Sequence, residues 1–266
     1  MKNIKHFLDK VFSKKSELIQ NSKEKEEGEL NYREIEDLRR PAEDLLLQLK
    51  EKIDRGEYNL IIGDDASGRI PTRIFYNTLK AIYEKKKYES PKVIFFAGSG
   101  RFNTKSHSWI KEEKTKMIKA YLQHFLKNNA IGAEKIKALV ISEVIDTGNS
   151  LKPLADALHQ EKIDFDIAAF SGPYVKEHVR RLEEYLDCKI FEPLSEETKD
   201  GIYGKLRLHG VRKETHELFA HPLRDSFWTK IFRRDSSKSI KNSVKKARED
   251  VNKLSEYLVE WYSKNQ

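Results

Sequence analysis

Ala138–Ser150, ALVISEVIDTGNS, is the stretch whose reading decides the fold of this chain. Ala138 to Ile141 is a short apolar run of the kind carried by a strand buried on both faces of a parallel sheet. Ser142 and Glu143 are expected where that strand ends. Asp146-Thr147-Gly148-Asn149-Ser150 is a tight loop of small residues, and Leu151–His159 has the spacing of an amphipathic helix. A strand, a small polar loop and a helix start together aim backbone N–H groups and the positive end of a helix dipole at one point. Hydroxyls of Thr147 and Ser150 add donors, and Gly148 permits close approach or a positive φ. Such a loop suits a phosphate. Acidic residues beside it do not suit a bare phosphate, so the pattern points to a sugar phosphate, whose hydroxyl groups adjoin the anion.

The same arrangement occurs about 80 residues earlier. Asn59–Ile62 predicts a short buried strand, Gly63-Asp64-Asp65-Ala66-Ser67-Gly68-Arg69 a second small-residue loop, and Ile70–Lys86 a helix. Read alone, that loop is also an ordinary strand-to-helix turn with Asp65 or Ser67 as N-cap. Further strands are expected at Pro91–Ala97, Asp164–Phe170 and Lys189–Phe191. Helices separate them at about Trp109–Lys127, Leu151–His159 and Glu177–Leu186, the last turning Val179, Leu182 and Tyr185 toward the core. Tyr32–Arg55 reads as a long helix with Leu38, Leu45, Leu46, Leu47 and Ile53 on its apolar side, kinked or broken at Pro41 and closed by Gly56. The alternation specifies an α/β fold: an open, mainly parallel sheet of about five strands flanked by helices, with functional loops at its carboxyl ends. The expected division is 1–31 as N-terminal helix and polar linker, 32–195 as core, and 196–266 as C-terminal cover and long helix.

ALVISEVIDTGNS resembles the phosphoribosyl-pyrophosphate (PRPP) signature of the type I phosphoribosyltransferases: four apolar strand residues, two acids, two apolar residues, then a small hydroxyl- and glycine-rich loop. The match lies at Ala138–Ile141, Glu143-Val144-Ile145 and Asp146–Ser150. It departs at Ser142, where the family usually has its first acid. The likeness covers about residues 55–195. It implies that Glu143 holds ribose hydroxyls, directly or around magnesium, and that Thr147, Gly148, Asn149 and Ser150 cradle the 5′-phosphate. Asp146 is similar to an Asp of the purine-salvage members that acts as the base facing the nucleobase. Asp65, Ala66, Ser67, Gly68 and Arg69 would line the pyrophosphate side, although Asp64 and Asp65 repel pyrophosphate unless magnesium lies between.

The basic segment Arg101–Ser108 stands where the family has a mobile flap, with Arg101, Lys105 and His107 as cations to approach the leaving group. A solvated basic loop accounts for any one of them about as well. The activity implied is transfer of a 5-phosphoribosyl group from magnesium-bound PRPP to an acceptor, a nucleobase first among them, with release of pyrophosphate. The missing first acid keeps a second reading open, a non-catalytic module of the same fold that senses PRPP or a nucleotide and contacts RNA or a partner protein. A general nucleotide-binding α/β protein ranks third, because neither loop carries a P-loop lysine or the G-x-G-x-x-G pattern.

Composition bounds the partners. The 266-residue chain is 35% charged with a net charge of +8, which favours anionic partners without choosing among phosphorylated metabolites, nucleic acid and acidic membrane. The single cysteine, Cys188, excludes an intrachain disulfide and a cysteine-rich metal site, and fits a reducing cytosol. It reads as a buried small apolar residue, not a nucleophile. No run approaches the ~18 apolar residues of a membrane span, and no secretory signal is expected at the N-terminus. Ile4, Phe7, Leu8, Val11 and Phe12 form a helical stripe expected to pack on the domain or a second subunit, ahead of the alternative of a membrane-surface helix, and a polar linker follows over 13–29.

Residues 201–213 are expected as a hairpin or covering loop. His209, His216 and His221 fit no compact zinc motif. The long helix expected over Ser237–Lys264 sets Ile240, Val244, Val251, Leu254, Leu258 and Trp261 on one side. Lys238, Lys241, Lys245 and Lys246 form a basic face, where a solvated surface is favoured over a nucleic-acid contact. Apolar stripes at both ends make a homodimer a fair expectation.

Overall fold

The computed structural model describes residues 30–64, 68–96, 108–129, 136–172, 175–193, 211–212, 221–222 and 237–265. Leu30 and Asn31 belong to an N-terminal unit, Met1–Asn31, and Tyr32–Gln266 is the unit that holds the sheet. The stripe over 4–12, the linker over 13–29, Asp65, Ala66, Ser67, Arg101, Lys105, His107, His209 and His216 lie outside the described residues.

Five strands, β1 (Leu60–Asp64), β2 (Lys92–Phe96), β3 (Lys137–Val144), β4 (Asp164–Ser171) and β5 (Lys189–Phe191), make one all-parallel sheet in the order β2-β1-β3-β4-β5. This is the open sheet that the alternation of apolar runs predicts. Its strands are apolar on both faces because helices cover both. On one face Ile62, Phe96, Val140 and Ile167 meet Ile118 and Leu122 of α5 (Ser108–Asn128). Leu154 and Leu158 of α6 (Lys152–Gln160) and Leu182 and Leu186 of α7 (Lys176–Leu186) complete that layer. On the other face Phe75 of α4 (Arg69–Lys86) meets Phe170 of β4 edge to face, with ring centroids 5.5 Å apart. A two-residue antiparallel pair joins β6 (Val211–Arg212), the described part of the segment expected as a hairpin or loop, to β7 (His221–Pro222) beyond it.

Three local expectations are corrected. The stretch Tyr32–Arg55 is three helices, α1 (Arg33–Glu36), α2 (Arg39–Gln48) and α3 (Lys50–Asp54). Pro41 sits in the first turn of α2, where a missing N–H is tolerated, so the break falls before it at Asp37–Leu38. Leu47, expected on the apolar side, is exposed, while Leu45, Leu46 and Leu49 take the core. Strand β3 does not end at Ile141: pairing with β4 continues through Ser142 opposite Ala169 and Val144 opposite Ser171, which carries Ser142 and Glu143 inside the strand.

The long C-terminal helix, α8 (Ser237–Lys264), packs into the same unit as the sheet. Val251, Leu254, Leu258 and Tyr262 are buried, and buried Asp250 accepts the Tyr32 N–H at 2.8 Å. Asn77 of α4 donates to Asn252 at 3.1 Å. No helix among the described residues is long and apolar enough to cross a membrane.

Asp54 ties α3, α4 and α8 together. Its carboxylate accepts from Lys50 at 2.6 Å, from Lys86 at 2.7 Å and from the Tyr262 hydroxyl at 2.8 Å. Burial alone would raise this carboxyl, but those hydrogen bonds outweigh it and hold Asp54 down at about 2. A depressed folded-state value contributes stability that is complete above the ordinary carboxylate range and is lost as pH falls through about 2. Between pH 4 and pH 2 the wild type is therefore expected to lose about 1–2 kcal/mol that Asp54→Asn does not lose, after allowance for solvent screening. Urea denaturation at a series of pH values measures it, and parallel pH profiles would refute the assignment.

Candidate functional site

Two connections leave the sheet in opposite directions. Helix α4 links β1 to β2 over one face, and α5 links β2 to β3 over the other, so the chain diverges between the neighbouring strands β1 and β3. In open α/β sheets a crevice opens at that point, outside the carboxyl ends of the strands. Gly63 of β1 lies opposite Ile141 of β3 in the register. The two loops singled out in the sequence therefore leave adjacent strands on the same edge.

The loop after β3 is built around Gly148. Its φ is +69°, the left-handed region that β-carbon residues avoid, and a Cβ there would stand 3.1 Å from Leu182 Cδ2 of α7. The Gly148 carbonyl accepts both the Leu151 and Lys152 N–H groups at 3.0 Å, which turns the chain into α6. The Ile145 N–H donates to the Ser171 carbonyl at 3.0 Å and pins the loop's start to the end of β4. Between these anchors the N–H groups of Asp146, Thr147, Gly148, Asn149 and Ser150 have no acceptor among the described residues. Buried backbone donors seldom go without a partner, and five in a row on a partly exposed loop are free to donate to water or to an anion.

The side chains are arranged to the same end. The Tyr185 hydroxyl donates to Asn149 Oδ1 at 3.2 Å, and Asn149 Nδ2 donates to Thr147 Oγ1 at 3.1 Å. Because Thr147 Oγ1 accepts within the protein, its own proton is left to point outward. Asp146 and Thr147 are exposed, and Asn149 and Ser150 half-buried. Tyr185 is the residue sequence reasoning misplaced. It was expected in the core with Val179 and Leu182, yet it is 38% exposed and reaches the loop from α7. A tyrosine at the end of a helix stripe gives no sign of this, because the loop it touches is distant in sequence.

Ser142 and Glu143 are each 2% exposed and point to opposite faces of the sheet. Ser142 turns its hydroxyl onto the Val144 carbonyl at 3.1 Å. Glu143 follows Leu139 and Ile141 on the face of α4, where the register sets it beside Phe170. Of this pair only Glu143 carries a carboxylate, as the sequence requires.

On the β1 side, Gly68 is the residue before α4, and Arg69 opens that helix with its guanidinium over the Phe95 ring, 5.4 Å from the centroid. Gly63 is glycine because α4 and β2 press on it: a Cβ would come 2.6 Å from Phe95 and 2.7 Å from Thr72 Oγ1. That Thr72 hydroxyl is wholly buried and has no hydrogen-bond partner among the described residues. Among the described residues no group of three or more His, Cys, Asp or Glu side chains could hold a metal by itself. A single buried carboxylate, Glu143, still fits magnesium that arrives held mainly by substrate oxygens. Cys188 lies off this edge beside β5, and burial pushes its thiol up to about 12, so it is no thiolate nucleophile at neutral pH.

The structure thus brings Gly68, Arg69, Glu143 and Asp146–Ser150 to one edge of the sheet, at the ends of two neighbouring strands. Comparison of the chain with protein-family models, with curated proteins and with solved structures gave no match.

Proposed function

We propose that this chain binds magnesium-PRPP at the carboxyl edge between β1 and β3 and transfers its 5-phosphoribosyl group to an acceptor, a nucleobase first among them, with release of pyrophosphate. The observation that carries the reading is the run of five N–H groups over Asp146–Ser150 with no acceptor among the described residues, set at the switch point beside a buried carboxylate. The amides and the Thr147 hydroxyl receive the 5′-phosphate, whose charge falls within reach of the start of α6. Glu143 accepts hydrogen bonds from ribose hydroxyls. Magnesium would supply positive charge beside the pyrophosphate and the ribose, with Glu143 as the carboxylate this chain offers it. Departure of pyrophosphate leaves an oxocarbenium-like sugar, so fixed charges and exclusion of water matter more than a strong nucleophile. Asp146, exposed at the mouth of the loop, is the group to take a proton from the acceptor. Arg69 lies on the pyrophosphate side. A single buried cysteine suits a reducing compartment, and we place the chain in the cytosol.

A second reading rests on Ser142. Its hydroxyl is spent on the Val144 carbonyl, so the ribose faces one carboxylate, which suits a module that senses PRPP without turning it over. Calorimetric titration of magnesium-PRPP into the wild type and into an Asp146→Ala, Thr147→Ala double variant tests the site. The expected result is saturable binding that the double variant loses. Release of pyrophosphate on adding nucleobases then supports transfer, and binding without release supports the sensor. No heat from folded wild type refutes both.

A further inference from the structure

We propose that Tyr185 is a positioning residue for the loop after β3: through Asn149 it holds the Thr147 hydroxyl as a donor to the bound phosphate ester. The proposal rests on the reading that this loop receives the 5′-phosphate, and it brings a residue of a separate element into that site. A threonine hydroxyl turns about its Cβ–Oγ1 bond, so the loop alone does not direct the Thr147 proton.

The Tyr185 ring is fixed independently of its hydroxyl. Tyr185 stands on α7, and its Cδ1 lies 3.4 Å from where a Cβ on Gly148 would be, against the face that the glycine leaves open. The Lys152 ammonium sits over the ring, 5.2 Å from the centroid, and pairs with Asp156 at 2.8 Å. The Lys152 N–H donates to the Gly148 carbonyl at 3.0 Å, so ring, cation and loop form one assembly. A phenylalanine would make both ring contacts. What the tyrosine adds is the oxygen that reaches Asn149 Oδ1 at 3.2 Å.

That oxygen completes a chain of donors. Tyr185 donates to Asn149 Oδ1, Asn149 Nδ2 donates to Thr147 Oγ1 at 3.1 Å, and the Thr147 proton is left for a ligand. A phosphate monoester offers acceptors only, so it requires this direction. With the amide turned over, Oδ1 would face Thr147 and draw its proton inward, and oxygen lone pairs would meet the phosphate. A tyrosine hydroxyl can serve either orientation, and the anion selects the one in which every link donates toward it. Each link then polarises the next, and Tyr185 is the group that keeps Asn149 Oδ1 satisfied while this happens.

Calorimetric titration of magnesium-PRPP into the full chain tests the proposal, with the wild type, Tyr185→Phe, Thr147→Val and the double variant. Tyr185 is 38% exposed, so water replaces part of the lost bond, and Tyr185→Phe should weaken binding about fivefold. Thr147→Val should weaken it about tenfold. Adding Tyr185→Phe to Thr147→Val should cost less than twofold more, because the tyrosine acts through the hydroxyl that valine lacks. A tyrosine that only packs against the loop would cost the same in either background. The urea midpoint of Tyr185→Phe should match the wild type, since the ring contacts stay. Wild-type affinity in Tyr185→Phe, or a loss that persists undiminished in Thr147→Val, overturns this inference and leaves the reading of the site in place. Absence of binding to folded wild type overturns both.

Discussion

Replacing Gly148 by valine is expected to abolish magnesium-PRPP binding, with at least a hundredfold loss by calorimetry, and to cost about 2–4 kcal/mol of stability. Two physical terms add. At φ +69° a β-branched residue is held in the left-handed region, at about 1–2 kcal/mol or more. Its Cβ also lands 3.1 Å from Leu182 Cδ2 and 3.4 Å from Leu186 Cδ1 and Tyr185 Cδ1, so α7 must shift or the loop must turn over. Either response misaligns the N–H groups of Asp146–Ser150, which have no partner within the described residues to restore them. Gly148→Ala should show the same effect in smaller measure. Urea denaturation separates the stability term from the binding term. A Gly148→Val protein that is destabilised yet binds magnesium-PRPP as the wild type does would show that the loop does not hold the phosphate.

The largest effect on stability is expected at Asp166. It lies in the middle of the sheet on β4, only 5% of its side chain exposed, and accepts the Tyr58 hydroxyl and the Lys52 ammonium, each at 2.7 Å. Lys137 stands 3.7 Å away. Burial first, and the Asp166 carboxylate second, push the Tyr58 hydroxyl far above its ordinary value, so it stays a proton donor at any workable pH. Asp166→Ala leaves a fully buried hydroxyl without its acceptor and the Lys52 ammonium without its carboxylate, while Lys137 keeps Glu57 at 3.3 Å. Lys52 and Lys137 are each about a quarter exposed and reach water, so the cost falls chiefly on Tyr58 and the cavity. We expect a loss of about 3–4 kcal/mol, with Asp166→Asn, which keeps an acceptor, losing about half of that. Adding Tyr58→Phe to Asp166→Ala should restore part of the loss, since it removes the orphaned donor. A cost below 1 kcal/mol for Asp166→Ala would show that the network contributes little.

Much of the architecture is legible in the order of apolar runs. The strands expected at Ala138–Ile141, Asn59–Ile62 and Asp164–Phe170 are short, each holds a run apolar on both alternating positions (Ala138–Ile141, Leu60–Ile62, Ile167–Phe170), and helical spacing separates them, which admits few arrangements other than a covered parallel sheet. The small residues of 63–69 and 146–150 mark where the chain must turn from strand to helix. What failed were ends and partners. Ser142 looks like a strand terminus because a polar residue follows an apolar run, yet β4 continues beside it and supplies the pairing that keeps it in β3. Tyr185 looks like core because it sits three residues beyond Leu182, yet the phosphate-type loop offers its hydroxyl a partner at the rim.

The sequence by itself determined that two strand–loop–helix units exist, that Gly148 permits a close approach or a positive φ in the second loop, and that cations gather in residues 237–248. These are properties of neighbours along the chain, fixed by periodicity and backbone sterics. Strand order was decided only in the tertiary structure, because it depends on which face each crossover helix covers. That choice set β1 beside β3, and the packing of α8 brought Asn252 to Asn77 and Asp250 to Tyr32 from the far end of the chain. Side chains so distant in sequence meet because α8 buries Val251, Leu254 and Leu258 in the same unit as the sheet.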